Sequence, residues 1–182
     1  MPPAGISRRR LLRMVGGGLV LAGAGVAFVR TRGYDMPAER ARALKAFAPW
    51  QALVFDAVAR RVAAPDEVGD APSVDDVGVT DFVDGYVAAM HPAMRRDVLR
   101  LMGFVEHVAP WLAKRASRFS KLGPADQDAV LAALEASDEG MLRGAFAGLK
   151  SLVFMGYYRD PRTWKLLAWP GPIARRPSGG WW

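Results

Sequence analysis

The sequence predicts an all-α fold: a compact single-domain helical bundle that ends in an extended, aromatic and proline-rich C-terminal tail. Three observations predict it. Apolar residues recur at three- and four-residue spacing along most of the chain. The alternation that marks strands is absent. Prolines and glycines fall between the periodic stretches and divide them. The 182 residues divide into a leader-like segment, 1–32, a helical domain, 37–172, and a terminal tail, 173–182.

Each element has its own signal. Pro37 to Ala48 reads as a polar, Ala/Arg-rich helix. Pro49, tolerated in a first helical turn, restarts a more apolar one in which Leu53, Val54, Ala57, Val58 and Val62 share a face; Pro65 stops it. Asp66–Pro72 is an acidic loop. Ser73-Val74-Asp75-Asp76 has the spacing of a capping box, with Asp76 in place of the usual Glu, and opens a helix carrying Val79, Phe82, Val83, Tyr86, Val87 and Met90 on one side. His91-Pro92 punctuates the chain before the stripe Met94, Val98, Leu101, Met102 and Val105, and Pro110 breaks it again ahead of Trp111 and Leu112. Gly123-Pro124 opens a helix through Val130, Leu131 and Leu134. Ser137-Asp138-Glu139 caps another, with Leu142, Phe146, Leu149, Val153 and Phe154 inward. Gly156 then ends the helical spacing.

The N-terminus reads as an address and not as a fold element. Ser7-Arg8-Arg9-Arg10-Leu11-Leu12-Arg13 fits the twin-arginine export pattern: a small hydroxyl residue, two arginines, any residue, two bulky apolar residues and a cation, with Leu11 where Phe is commonest. Ser7, Arg8, Arg9, Leu11 and Leu12 are the signal residues. Met14–Val29 follows without a charge, diluted by five glycines, and Arg30 and Arg32 close it. Sixteen helical residues reach roughly 24 Å against a hydrocarbon core of about 30 Å, so the run is a marginal membrane span. Cleavage by a signal peptidase and retention as an anchor, with Arg8–Arg13 on the cytoplasmic side, both remain open. Either way, the reading places the body in the periplasm or on the periplasmic face of the inner membrane.

The formal net charge is +7, but residues 1–32 carry six arginines and no acid, leaving 19 cations against 18 acids in the remainder. A body that close to neutral argues against nucleic acid as a partner. With no cysteine there is no disulfide, thiolate zinc site, iron–sulfur ligation or covalent haem attachment.

Reactive groups are few. His91 and His107 lie sixteen residues apart on different predicted helices, without metal-ligand spacing. Asp66, Glu67, Asp70, Asp75 and Asp76 lack the alternating ligands and closing Glu of a calcium loop, and read as a solvated acidic stretch. No nucleophile elbow, phosphate loop or dinucleotide fingerprint is present. These readings assign no catalytic, cofactor-binding or metal residue to this chain. The C-terminal aromatics Tyr157, Tyr158, Trp164, Trp169, Trp181 and Trp182 sit among Pro161, Pro170 and Pro172. Such residues bury large area at low rotamer cost, either on a partner or on the chain's own core. Gly156, Tyr157, Tyr158, Trp164 and Trp169 are the expected docking surface.

Four stretches resemble the gluconate 2-dehydrogenase subunit 3 family. They are Phe55-Asp56-Ala57-Val58 with Pro65; Gly78-Val79-Thr80-Asp81-Phe82-Val83-Asp84; Phe119 with the Pro124–Leu134 helix; and Leu149-Lys150, Gly156-Tyr157-Tyr158, Pro161 and Trp164 with Gly171-Pro172. The likeness spans roughly residues 47–172, departing at Ala63-Ala64-Pro65, where Ile-Ile-Pro or similar is usual. The resemblance implies a small, cofactor-free partner of a large flavin oxidoreductase of the glucose–methanol–choline type. FAD is then expected in the partner subunit, a c-type cytochrome often completes the complex, and the twin-arginine translocase carries the folded assembly. A membrane-anchoring structural subunit and an autonomous periplasmic binding module are the rival readings.

Overall fold

The computed structural model describes residues 33–63 and 70–171. The leader signal, the Pro65 stop, most of the acidic loop, and Trp181 and Trp182 lie outside the described residues. Two units partition the chain, Met1–Asp35 and Met36–Trp182. The account below concerns the second.

Every regular element among the described residues is helical: α1 (Ala38–Ala43), α2 (Pro49–Ala63), α3 (Val74–Val77), α4 (Val79–Ala89), α5 (Pro92–His107), α6 (Ala109–Leu112), a 3-10 turn (Phe119–Lys121), α7 (Pro124–Glu135), α8 (Gly140–Tyr157) and a 3-10 segment (Pro161–Leu167). The all-α expectation holds. α2 is the central rod, packed against α3, α4, α5, α7, α8 and the first 3-10 turn. Its residues Ala52, Val54, Phe55, Val58 and Ala59 are all buried, and with buried Gln51 and Asp56 they take up about half of the helix circumference, a broad face turned to the core. Val79, Val83 and Val87 of α4, Met102 and Val105 of α5, Val130 and Leu134 of α7, and Leu149 and Val153 of α8 close the core around it.

The start signals operate as the sequence predicts. Pro49, Pro92 and Pro124 each open a helix, where a missing N–H costs nothing. Ser73 and Asp76 form a reciprocal capping box: the Ser73 hydroxyl accepts from Asp76 N at 3.0 Å, and Ser73 N donates to the Asp76 carboxylate at 3.3 Å. His91 caps α5, its Nδ1 accepting from Ala93 N.

Other boundaries differ from expectation. The first helix stops at Ala43 instead of Ala48, because the N–H groups of residues 45–47 find a side-chain acceptor and Pro49 disfavours helical backbone before it. The helix opened by Ser73 is interrupted by Gly78 at φ +67°, which ends α3 and starts α4 on a new axis. On α4 Phe82 is only partly buried and Tyr86 is exposed; on α5 Met94 is exposed. At α8 the capping residue is Glu139, whose side chain makes no cap bond; Ser137 Oγ instead accepts from Glu139 N. Most consequentially, Gly156 does not end α8, which runs on through Tyr157.

Candidate docking surface

Gly156 belongs to the core because α4 crosses α8 there. A β-carbon at 156 would lie 2.8 Å from Val79 Cγ1 and 3.3 Å from Val79 O, so only hydrogen fits between the two helices. The next residue, Tyr157, is 1 % exposed, and its hydroxyl donates to Pro72 O at 2.8 Å. Burial, then the neighbouring Tyr158 and Asp160, push its phenol above the ordinary 10.0. Of the residues expected to dock, Gly156 and Tyr157 are placed here within this chain's own core.

The following segment, residues 158–171, is folded, whereas the tail 173–182 lies outside the described residues. Asp160 accepts from Arg162 N at 2.9 Å and holds the Arg162 side chain. Those hydrogen bonds, the side-chain one first, draw its carboxyl below the ordinary 3.8. Thr163 is buried, its hydroxyl donating to Asp160 O. Trp164 Nε1 donates to Tyr158 O at 2.9 Å, and the Trp164 and Trp169 rings meet at 4.7 Å between centroids. Ala168, at φ +49°, turns the chain so that Trp169 N reaches Trp164 O.

Arg159 donates to Val77 O and Arg162 to Asp76 O, both cations meeting the free carbonyl end of α3, while Arg159 also lies over the Phe82 ring at 4.8 Å. Residues 158–171 are thus a folded hook. Of the aromatics expected to dock, Tyr158 and Trp164 are half-buried, and Trp169 stays 43 % exposed beside Leu167 at 53 %.

Three buried carboxylates escape a reading by motif. Asp56 receives Arg40 in a two-pronged pair, 2.9 Å on each arm, together with the Thr80 hydroxyl at 2.5 Å. The hydrogen bond to Asp56 chiefly raises the Arg40 pKa. Asp84 accepts three successive backbone N–H groups, from Lys45 at 2.6 Å, Ala46 at 2.9 Å and Phe47 at 2.6 Å. Glu106 accepts from both Ser120 N and Ser120 Oγ, with Arg118 at 3.7 Å. The signal available was an acid on an apolar stripe: Asp56 between Phe55 and Val58, Asp84 between Val83 and Val87, Glu106 after Val105. A charge at such a position must be paired or saturated with donors, and each of these is. Asp56 ties three helices together, and Asp84 and Glu106 fasten the segments at 45–47 and 120 to helices. A cleft of about 310 Å³ opens above the Arg40–Asp56 pair between Arg60, Gly78 and Asp81.

A second apolar surface lies between α5 and α8. The groove, about 660 Å³, is walled by Val98, Leu101 and Phe104 on one side and by Met141, Ala145 and Leu152 on the other. Gly144 and Gly148 contribute no side chain to it, and a β-carbon at either would meet nothing within 4 Å. Bare backbone between apolar walls is the shape that accepts a helix at close range.

Among the described residues no cluster of three or more His, Asp or Glu could hold a metal ion, and no helix is long and apolar enough to cross a membrane. His107 stands near the Trp50 ring, 5.9 Å between centroids, far along the helix that His91 begins.

No curated protein and no solved structure matches the chain. A family model described as gluconate 2-dehydrogenase subunit 3 matches residues 49–171, from the first residue of α2 to the glycine that closes the hook. That match spans the whole packed body except α1 and the loop after it, and on it the chain belongs to the gluconate 2-dehydrogenase subunit 3 family.

Proposed function

We propose that this chain is the non-catalytic small subunit of a dehydrogenase complex. It docks a large FAD-dependent sugar or alcohol dehydrogenase and directs its folded export by the twin-arginine route to the periplasmic side of the inner membrane. One combination carries the reading: a body matched from residue 49 to 171 to a dehydrogenase subunit family, behind the Ser7–Arg13 heptad. The chemistry of the body supports it. Its buried carboxylates are spent on holding helices and loops together, and its exposed apolar surface is what a partner would cover. FAD belongs to the large subunit, and a c-type cytochrome receives the electrons. Docking falls on the part of the hook that stays accessible, Leu167 and Trp169.

The test is co-expression with the large subunit. Replacing Arg8 and Arg9 by Lys should strand the flavoprotein in the cytoplasm, whereas its normal arrival in the periplasm overturns the escort role. Leu167→Glu should abolish co-purification of the two subunits without shifting the thermal midpoint of this chain. The uncharged run Met14–Val29 also favours a second reading, in which a retained leader anchors the complex. N-terminal sequencing of the mature protein decides: a cut before residue 33 removes the anchor.

A further inference from the structure

The short segment between α5 and α7 carries a surface that the docking reading does not use. Val108, Trp111 and Leu112 are related as i, i+3 and i+4 and so share one face of the α6 turn. That face looks outward: Trp111 is 67 % exposed, Val108 and Leu112 47 % each, while Ala109 and Pro110 on the other side are buried. Soluble helices keep the outward face polar, so a turn that is apolar on both sides presents its outer residues to something else.

The charge around it is one-sided. Residues 107–125 contain Lys114, Arg115, Arg118 and Lys121 and no acid, whereas the rest of the chain after residue 32 has 15 cations against 18 acids. Arg115 pairs with Asp126 and Arg118 lies near Glu106, but Lys114 and Lys121 make no ion pair with any described residue. Lys114 occupies the left-handed position, φ +56°, immediately after α6. There Arg115 N reaches Pro110 O and Lys114 N reaches Trp111 O, a helix ending that ordinarily takes glycine. A cation is thus fixed one turn from Trp111.

We propose that this corner is a peripheral membrane contact. Trp111 and Leu112 enter the interfacial layer of an anionic phospholipid bilayer, and Lys114 and Lys121 meet its phosphates. Two features favour a bilayer over a protein. The apolar residues are among the most exposed of the described body, and the cations without an ion pair in the same acid-free stretch match a negative, deformable surface.

The experiment uses the full chain, in its complex where it forms one. It is sedimented with vesicles of neutral phosphatidylcholine and with vesicles in which about one third is phosphatidylglycerol. Wild type should partition at least about tenfold more strongly to the anionic vesicles. Trp111→Ser with Leu112→Ser, and separately Lys114→Glu with Lys121→Glu, should each remove that preference while leaving the thermal melt unchanged. A retained leader is identical in all three proteins, so the difference between them reads the corner alone. Equal sedimentation of wild type and both variants overturns the proposal, as does indifference of wild type to lipid charge. Unchanged vesicle binding with loss of the large subunit from the Trp111→Ser variant also overturns it, assigning the corner to a protein partner.

Discussion

Gly171 lies flat against the indole of Trp164, so close that a β-carbon on it would stand 2.7 Å from Cζ3 of the ring. Its φ of +98° is open to glycine and strained for other residues. Both the conformation and the space forbid a side chain, and the same ring meets Trp169 at 4.7 Å between centroids.

The expected outcome for Gly171→Ala is a hook that opens while the helical body stays folded. Tryptic cleavage at Arg159, Arg162 and Lys165 should accelerate severalfold, with the main thermal transition lowered by no more than about 1 kcal/mol, because the hook frays before the core unfolds. Protease digestion followed by mass mapping of the fragments checks this.

Two glycines of α8 should respond to the same substitution with opposite signs. Gly156→Ala forces a methyl into Val79 and should cost about 1–3 kcal/mol. Gly148→Ala meets open space in a helical conformation and should add about 1 kcal/mol through helix propensity. Urea midpoints of the two variants measure the contrast.

The Arg40–Asp56 pair makes a sharper test of its burial. Arg40→Met leaves a carboxylate of 2 % side-chain exposure with only Thr80 as donor, and should destabilise by about 3 kcal/mol. Replacing both, Arg40→Met with Asp56→Leu, should recover at least half of that loss, since no uncompensated charge is then buried. A double-mutant cycle in urea gives the coupling.

The hook should also be acid-sensitive. Asp160 titrates below its ordinary value, its hydrogen bond from the Arg162 side chain being the first cause, so its contribution is present above the ordinary carboxylate range near 3.8 and is lost as pH falls through the lower folded value. Protease sensitivity at Arg162 and Lys165, measured with an acid-stable protease, should rise below that range in wild type. In Asp160→Asn it should be elevated already at neutral pH.

Much of the fold was legible because its signals are local. Pro49, Pro92 and Pro124 mark helix starts by chemistry that needs no tertiary partner, and Ser73 and Asp76 satisfy each other across three residues. What was not legible depends on distant pairing. Gly156 resembles a helix stop unless one knows that Val79 lies against it, 77 positions earlier in the chain. Tyr157 resembles an exposed aromatic unless Pro72 O is known to receive its hydroxyl. The early end of α1 is written in Asp84, whose carboxylate offers residues 45–47 a better acceptor than the next helical turn. The hook is hidden for the same reason: Arg159 and Arg162 resemble ordinary surface cations until the carbonyl end of α3 is placed beside them.

The Asp84 carboxylate carries a consequence for biosynthesis. The turn at 45–47 borrows its acceptor from 37 to 39 residues downstream, and Arg40 fastens to Asp56 beside Thr80. A ribosome that has emitted only the first seventy residues has therefore delivered Arg40 and Asp56, but neither the Asp84 acceptor of residues 45–47 nor the Thr80 hydroxyl that completes the Asp56 clasp. The amino-terminal end of the body is the first part made and among the last to be secured.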